Sequence, residues 1–320
     1  MKATLKIAII GSIFTALSIL GTGGHANKAQ YSNKGQYSKK AKVSESDIEI
    51  NEENFPDDTF RAYVTKRDNK FDGNGYLSAD EISRITWIEV KGCKNLKGIE
   101  NFTACYAIRF IECDDISAMG ELDNLTSIQL MDCKNVNVDL SKYTGLTDLT
   151  IRDCELKYDL DCTGFNELRR FIMSDSVCGK ITVKDCAEFV DGDVSSSKVE
   201  EIYVENCPKM HYLDGSKIQN LKKYTMKNCP TSHMVHMCVC PELTDVEVID
   251  CEKVKQITVL SDDKLTKMTV KGCPFIEEAL KDTDKLEVEK SKTSDGIQTD
   301  MKHENGTKIK YNGDIEFITK

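Results

Sequence analysis

The sequence predicts a repeat solenoid in which short coils stack and each coil adds one strand to a parallel β-sheet. The first observation is a recurring phrase, L-x-x-L-x-L-x-x-C, with aliphatic residues of any kind at the L positions; it is clearest at 243–251 and 265–273. The second is the spacing of 20 to 22 residues between most copies, which is typical of solenoid coils. The third is that aliphatic residues also recur between copies, which predicts short extended segments on the opposite wall.

The composition narrows the class of function. The chain has 320 residues, of which 40% are hydrophobic and 30% charged, and its formal net charge is −10 at pH 7. Nucleic-acid binding requires a basic footprint, so we expect no nucleic-acid partner. The 14 cysteines are compatible with disulfides, metal ligation or packing, and only their spacing separates these roles.

The N-terminal 26 residues are typical of a secretory signal peptide. Lys2 and Lys6 precede an apolar run over 7–20, and the small residues Gly24 and Ala26 place cleavage after Ala26. The run is short for a membrane span of ~20 residues, which disfavours the alternative of a retained anchor. Residues 27–47 are polar and predict a disordered linker. We therefore expect a secreted protein, with cell-surface association left open and no transmembrane segment after cleavage.

Residues 48–84 predict a small helical cap. Pro56 and Asp57 favour the start of one helix, and Ser78 with Glu81 form a capping box at the start of a second. A polar, glycine-rich loop joins the two helices, so the segment has the outline of an EF-hand.

The loop can be compared with an EF-hand position by position. With Gly75 at position 6, position 1 falls on Lys70, whose ammonium group cannot bind Ca²⁺. Asp68 lies two residues earlier and reaches the site only if the loop opens. A weak calcium site and a degenerate hand that serves only as a cap both stay open. The candidate calcium ligands are Asp68, Asp72, Asn74, Tyr76 and Glu81.

The repeats occupy 85–285, and we expect every copy of the phrase to form a strand of the same sheet. Ser176 stands where a cysteine is expected, and the next copy follows only ten residues later. The period therefore breaks between Ser176 and Cys186. Residues 286–320 predict a C-terminal cap with a β-hairpin around an Asn312-Gly313 turn. The phrase ends at Cys93, Cys113, Cys133, Cys154, Cys186, Cys207, Cys229, Cys251 and Cys273.

The phrase resembles the leucine-rich repeat, L-x-x-L-x-L-x-x-N/C-x-L. Together with the cap segments at 55–60, 75–78 and 96–102, it is similar to secreted, internalin-like proteins of Gram-positive bacteria. The resemblance implies a right-handed coil with a parallel sheet on its concave face. It also implies a surface that binds proteins rather than an enzyme. Two features depart from the family: cysteine replaces asparagine throughout, and the chain has no LPxTG sequence for wall attachment.

The nine cysteines of the phrase should stack as one ladder. Equivalent side chains of parallel strands point the same way, so we expect reduced, buried thiols rather than disulfides. A second cluster lies in a strand whose inward residues should be Val235 and Met237. His236, Cys238 and Cys240 should share the outer face of this strand, and with His233 they suggest a zinc set, although a plain wall segment is the favoured interpretation. The zinc candidates are His233, His236, Cys238 and Cys240.

The outward positions of the strands differ along the chain. Between 201 and 271 they alternate in sign from strand to strand, which favours mutual neutralisation. In the first strands they are apolar and predict a partner-binding patch. The patch residues are Trp87, Ile111, Met131 and Ile172.

We therefore expect a protein-binding module that requires no cofactor except, if the loop is competent, Ca²⁺. A polysaccharide-active parallel β-helix enzyme is one alternative, and it would show three strands per coil. A metal-binding surface protein is the other. The sequence contains no phosphate-binding loop and no Ser/His/Asp arrangement.

Overall fold

The computed structural model describes residues 43–260, 264–294 and 296–319. The predicted signal peptide and residues 27–42 of the predicted linker lie outside this part of the chain. Within it, the prediction of a repeat solenoid built from stacked parallel strands is confirmed.

The helical N-terminal cap has the predicted elements. Asp57 starts the first helix, because its carboxylate accepts a hydrogen bond from the backbone N–H of Phe60 at 2.8 Å. The capping box of Ser78 and Glu81 starts the second helix, as predicted. A pair of short antiparallel strands ties the two ends of the cap together. The elements are β1 (Ile48–Glu49), α1 (Asp58–Asp68), β2 (Tyr76–Leu77) and α2 (Ala79–Ser83).

The cap is fastened to the first coil through Asp57 and an aromatic cluster. The second oxygen of Asp57 accepts hydrogen bonds from the backbone N–H groups of Lys94 and Asn95. Partial burial would raise the pKa of Asp57, but these backbone hydrogen bonds lower it below its ordinary value. The Phe60 ring packs edge-on against the Phe102 ring at 6.3 Å. The apolar end of the solenoid is thereby covered.

The fourth coil carries a second strand on the opposite wall, and the first three coils carry one strand each. Their return paths contain 3₁₀ turns at 99–101, 117–121 and 140–142, where extended segments were expected. The strands are β3 (Trp87–Lys91), β4 (Ala107–Ile111), β5 (Ser127–Met131) and β6 (Asp148–Arg152).

The later coils carry two strands each, on opposite walls. The strands are β7 (Leu160–Asp161), β8 (Arg170–Ser174), β9 (Lys180–Lys184), β10 (Asp191–Asp193), β11 (Glu201–Glu205), β12 (Tyr212–Asp214), β13 (Lys223–Lys227), β14 (Met234–Cys238), β15 (Asp245–Ile249), β16 (Gln256–Leu260) and β17 (Lys267–Lys271).

The C-terminal end contains one helix and four strands. They are α3 (Pro274–Lys281), β18 (Leu286–Thr293), β19 (Gly296–His303), β20 (Lys308–Asn312) and β21 (Glu316–Ile318). A hairpin cap is present, but β18 and β19 form it. The predicted hairpin around Asn312-Gly313 is wrong, because that turn is a corner of the last coil: β20 pairs with β16, and β21 pairs with β17.

Two sheets result. Sheet I has twelve strands in the order β18-β19-β20-β16-β14-β12-β10-β8-β6-β5-β4-β3, and sheet II has seven in the order β21-β17-β15-β13-β11-β9-β7. The core lies between the two walls, where the inward residues of both sheets are buried.

The expectation that all copies of the phrase share one sheet is wrong. The copies that end at Cys93 to Cys154 lie in sheet I, whereas those that end at Cys186 to Cys273 lie in sheet II. The apparent break after Ser176 is the half-coil between β8 and β9. Each sheet separately keeps the period, since Asp191 pairs with Arg170 and Glu201 pairs with Lys180.

The cysteines form two ladders, one at the end of each sheet's strands. Several of the thiols face a backbone carbonyl of the preceding coil, as Cys113 does with Val90 and Cys207 with Val183. The residue before each rung has a positive φ. In sheet II these residues are Asp185, Asn206, Asn228, Asp250 and Gly272, which are the residue types that adopt this conformation most readily. Of the 14 cysteines, 13 are buried, and Cys238 is half-buried.

Candidate functional site

The cap covers the edge of sheet I at β3. The hydroxyl of Tyr63 donates a hydrogen bond to the backbone carbonyl of Trp87 at 3.2 Å, and the guanidinium of Arg67 donates to the same oxygen at 3.3 Å. The guanidinium also lies 5.0 Å from the centroid of the Tyr63 ring. Because α1 satisfies this edge carbonyl, recognition at this point must use side chains rather than the addition of another strand.

The indole of Trp87 is 44% exposed, and it opens onto a cleft of about 280 Å³ between α1 and β3. We call this space the Trp87 cleft. Its negative residue, Glu89, already lies 3.8 Å from the guanidinium of Arg109. Lys66 and Lys70 are exposed and make no ion pair within the part of the chain that the structure describes. The cleft therefore combines an aromatic surface with unpaired positive charge. It is lined by Tyr63, Lys66, Arg67, Lys70, Trp87 and Glu89.

The structure does not bring the four predicted patch residues together. Trp87 lies at the start of β3, whereas Ile111 and Met131 lie side by side at the ends of β4 and β5. Four residues along a strand separate the two positions, which is about 13 Å. Ile172 lies on β8, with β6 between it and Met131. Only Trp87 is exposed; the other three are half-buried.

The sequence analysis missed one exposed aromatic residue close to Trp87. Tyr106 is 51% exposed and directly precedes Ala107, the register partner of Trp87. It lies at the corner before β4, so a search restricted to alternate positions within strands could not find it.

A group of carboxylates forms the second candidate site. Oxygen atoms of Asp68, Asp72 and Glu81 lie within 4.8 Å of one another. Among the residues that the structure describes, this is the only such group of three His, Cys, Asp or Glu side chains. Asp68 is 2% exposed and Glu81 6% exposed. Like charges at this separation repel one another unless a cation lies between them.

Asp68 reaches this group although the loop stays closed, contrary to the expectation from the 12-residue template. Asp68 is the last residue of α1, and its backbone carbonyl accepts hydrogen bonds from the N–H groups of Phe71 and Gly73. Gly73 has a φ of 63°, which folds two extra residues into the loop. One carboxylate oxygen of Asp68 then accepts the N–H of Gly75 at 3.0 Å.

The other candidate ligands hold the loop in shape. The Asn74 side chain accepts the N–H of Tyr76 at 2.7 Å and donates to Asp72 at 2.9 Å. One oxygen of Glu81 accepts both the N–H and the hydroxyl of Ser78 at 2.8 Å. The three side chains offer only oxygen atoms as ligands, which is the chemistry of a site for a hard cation.

The predicted zinc residues do not converge. His236 and Cys238 lie on the outward face of β14 and are half-buried, and His233 is exposed just before the strand. Cys240 is buried, and its thiol donates to the backbone carbonyl of Gly215 at 3.3 Å. The expectation that Cys240 lies on the outer face is therefore wrong, because it is a rung of the sheet I ladder. No three of these residues place their ligand atoms within 4.8 Å of one another.

Three of the buried thiols are poor nucleophiles. Burial raises the pKa of Cys105 to about 11 and that of Cys178 to about 12. Burial also raises the pKa of Cys162 well above its ordinary value. These thiols stay protonated at neutral pH, and only the thiolate is reactive.

Outward carboxylates on the later strands of sheet I accept hydrogen bonds from backbone N–H groups at the corners that follow these strands. Asp193 accepts the N–H of Ser195 at 2.9 Å, and Asp214 accepts the N–H of Ser216 at 2.9 Å. The described coils carry one or two strands rather than three. The alternative of a polysaccharide-active β-helix enzyme is not favoured.

Comparison with known proteins gives structural neighbours only. No family model and no curated protein matches the chain. InlP of Listeria monocytogenes is similar at a TM-score of 0.43 and 14% identity, over 86% of this chain and 100% of that one. An internalin of the same organism, InlF, is similar at 0.40 and 14%, over 72% and 86%. The functional domain of InlJ, which includes a cysteine ladder, is similar at 0.26 and 12%, over 85% and 99%.

At these values the likeness carries no conclusion about function, and the solenoid fold rests on the strand pairing described above. Among the residues that the structure describes, no helix has both the length and the apolar character needed to cross a membrane.

Proposed function

We propose that the chain is a secreted protein-binding module that holds its partner at the Trp87 cleft. The observation that carries this proposal is a 44% exposed indole that shares a cleft with unpaired lysines. Tryptophan, tyrosine and arginine are the residues that most often contribute large binding energies at protein interfaces. The partner would present an apolar anchor for Trp87 beside an acidic side chain for Lys66 and Lys70.

Secretion is part of the same proposal, and it is supported by the signal-type segment at 1–26.

The half-buried Ile111 and Met131 would extend the surface across β4 and β5 if the partner is large. The Tyr63 and Arg67 contacts to the Trp87 backbone keep the cleft in place before binding, which reduces the ordering that a partner must cause.

Selection of displayed peptides tests the proposal without a known partner. Peptides selected on the wild-type chain should combine Asp or Glu with an apolar residue. Trp87→Ala should weaken their binding by at least about tenfold, which is the loss expected from a hot spot. Raising the salt concentration should weaken binding further, because the lysines are exposed.

Tyr158→Ala is the matched control, since Tyr158 is 52% exposed but lies near β7 rather than β3. Its binding should equal that of the wild type. Ile111→Ala then reports whether the surface extends along the sheet, and the double variant Trp87→Ala/Ile111→Ala should abolish binding while the coil stays folded. Peptides that bind Trp87→Ala as tightly as the wild type would contradict the proposal.

A further inference from the structure

We propose that Asp68, Asp72 and Glu81 form a calcium site that fastens the end of α1 to the start of α2. The three carboxylates come from the two ends and the middle of one loop, and their oxygen atoms lie within 4.8 Å of one another. The site differs from a 12-residue EF-hand loop, because its first ligand is the last residue of α1 and the loop is two residues longer.

The second observation is the state of the Asp68 carboxylate. Asp68 is 2% exposed, so its charge is removed from water. One oxygen accepts the N–H of Gly75, but the other is fully shielded and has no hydrogen-bond partner. A shielded carboxylate oxygen is costly unless a proton donor or a cation satisfies it. The neighbouring side chains in the group are two further carboxylates, Asp72 and Glu81. Ionised carboxylates cannot donate a hydrogen bond to this oxygen, so a cation is the group that would satisfy it.

The donor set selects the cation. Asp68, Asp72 and Glu81 offer only hard oxygen ligands, and by analogy with an EF-hand loop the Asn74 amide oxygen and the Tyr76 carbonyl would complete the set. Ca²⁺ accepts six to eight oxygen ligands in flexible geometry, whereas Mg²⁺ demands a near-ideal octahedron and zinc sites are usually built with nitrogen or sulfur. A flexible loop with three carboxylates therefore favours Ca²⁺.

Binding of Ca²⁺ would stabilise the end of α1 as well as the loop. Asp68 ends the same helix from which Tyr63 and Arg67 bind the Trp87 carbonyl. Fixing the end of α1 would therefore fix the wall of the Trp87 cleft. The calcium site itself does not depend on the proposed partner, so it can stand if partner binding fails.

Calcium titration by calorimetry tests the site on the chain from residue 27 onward. We expect one Ca²⁺ per chain with a dissociation constant of about 10⁻⁵–10⁻³ M, which is the range of weaker calcium modules. Asp68→Asn and Glu81→Gln should each weaken binding by at least about tenfold, because affinity follows the number of charged ligands. Glu81→Gln preserves the capping box, since glutamine can replace glutamate there.

Asp80→Asn is the matched control. Asp80 lies next to Glu81 in α2, but its side chain is 79% exposed, so binding should equal that of the wild type. Thermal unfolding gives a second readout that does not depend on the calorimetric signal. In EGTA, Asp68→Asn should melt at or above the wild-type temperature, because it removes repulsion. In calcium the order should reverse, since only the wild type gains from the ligand.

The proposal is overturned if the folded wild type binds no Ca²⁺ at millimolar concentration. Equal affinity of Asp68→Asn and the wild type would also overturn it, as would Mg²⁺ binding as tightly as Ca²⁺. A melting order that is the same in EGTA and in calcium would show that Asp68 is only structural.

Discussion

The coils that begin with β3, β4 and β5 return through 3₁₀ turns, whereas the coils from β6 onward return through a second strand. In the first region the leucine-type phrase lies in sheet I. In the second region it moves to sheet II after β8, and sheet I continues through strands with a different pattern. The phrase thus specifies a strand that ends in a left-handed corner and a buried small residue, and it does not specify the wall on which that strand lies.

Two glycines explain why the leucine-type phrase is absent from the later strands of sheet I. Gly192 occupies an inward position of β10, Gly215 directly follows β12, and both are buried. A Cβ atom at Gly192 would lie 2.5 Å from a methyl group of Leu213, and one at Gly215 would lie 2.3 Å from the sulfur of Met237. Large side chains of neighbouring coils fill these places, so the core is continuous although the sequence pattern is interrupted.

High pH should strongly destabilise the coil in which sheet II begins. Cys162 and Cys178 lie in the coil where sheet II begins, and burial raises both thiol pKa values. Such thiols stabilise the fold fully below the unfolded pKa, near 9, and lose that contribution as pH rises towards the folded pKa. Between pH 9 and 11 each thiol should lower the free energy of unfolding by about 1.4 kcal/mol per pH unit.

Urea unfolding under reducing conditions at pH 8 and pH 10 measures this loss. Cys178→Ala removes one titrating thiol, so its stability should fall less steeply with pH than that of the wild type. Val199→Ala, at a buried residue without a titrating group, should lower stability equally at both pH values. Identical pH slopes for Cys178→Ala and the wild type would contradict the role assigned to this thiol.

The inward Gly192 should be essential to the packing of the second region. Gly192→Ala should destabilise the fold by about 1–3 kcal/mol, because the added methyl group overpacks the core. Gly145→Ala is the same change in the first region at a site where a Cβ atom meets nothing within 4 Å, and it should have little effect. Chemical denaturation measures both. Equal effects would mean that Gly192 is not packed as the structure shows.

The sequence was sufficient to predict the coil, because the spacing of the aliphatic residues and the burial of the cysteines are local properties of the chain. It was also sufficient for α2, where Ser78 and Glu81 make both hydrogen bonds of the capping box. It was insufficient for sheet II. Gly192 and Gly215 hide the strands of sheet I from a pattern search, so the phrase at Ile181 reads as a break rather than as the opposite wall.

The candidate sites show the same limit. Exposure of Trp87 followed from strand alternation, but its separation from Ile111 depends on where along the strand each residue lies. The placement of Asp68 depends on the turn at Gly73, whose positive φ shortens the path across the loop. A template of fixed length cannot anticipate such a turn, because it assigns ligands by counting residues.

The smallest expected difference concerns the charges on the two sheets. Sheet II carries rows of alternating sign, as predicted, and the carboxylate of Glu205 lies 2.8 Å from the ammonium of Lys184. Hydrogen bonds from Lys184 and Tyr203 lower the pKa of Glu205. Glu205→Gln should therefore cost about 0.2–1 kcal/mol near neutral pH. The cost should disappear at a pH low enough to protonate Glu205 in the fold.

Glu112→Gln provides the comparison in sheet I. Glu112 pairs with Lys91 at the same 2.8 Å, but both side chains are more exposed, at 51% and 64%, so water screens the pair more and its loss should cost less. Urea unfolding in 0.1 M and in about 1 M NaCl measures both variants, since salt weakens exposed pairs first. Glu112→Gln and Glu205→Gln could instead lower the free energy of unfolding by the same amount and respond equally to salt. The alternation of charge in sheet II would then contribute no stability beyond that of an exposed ion pair.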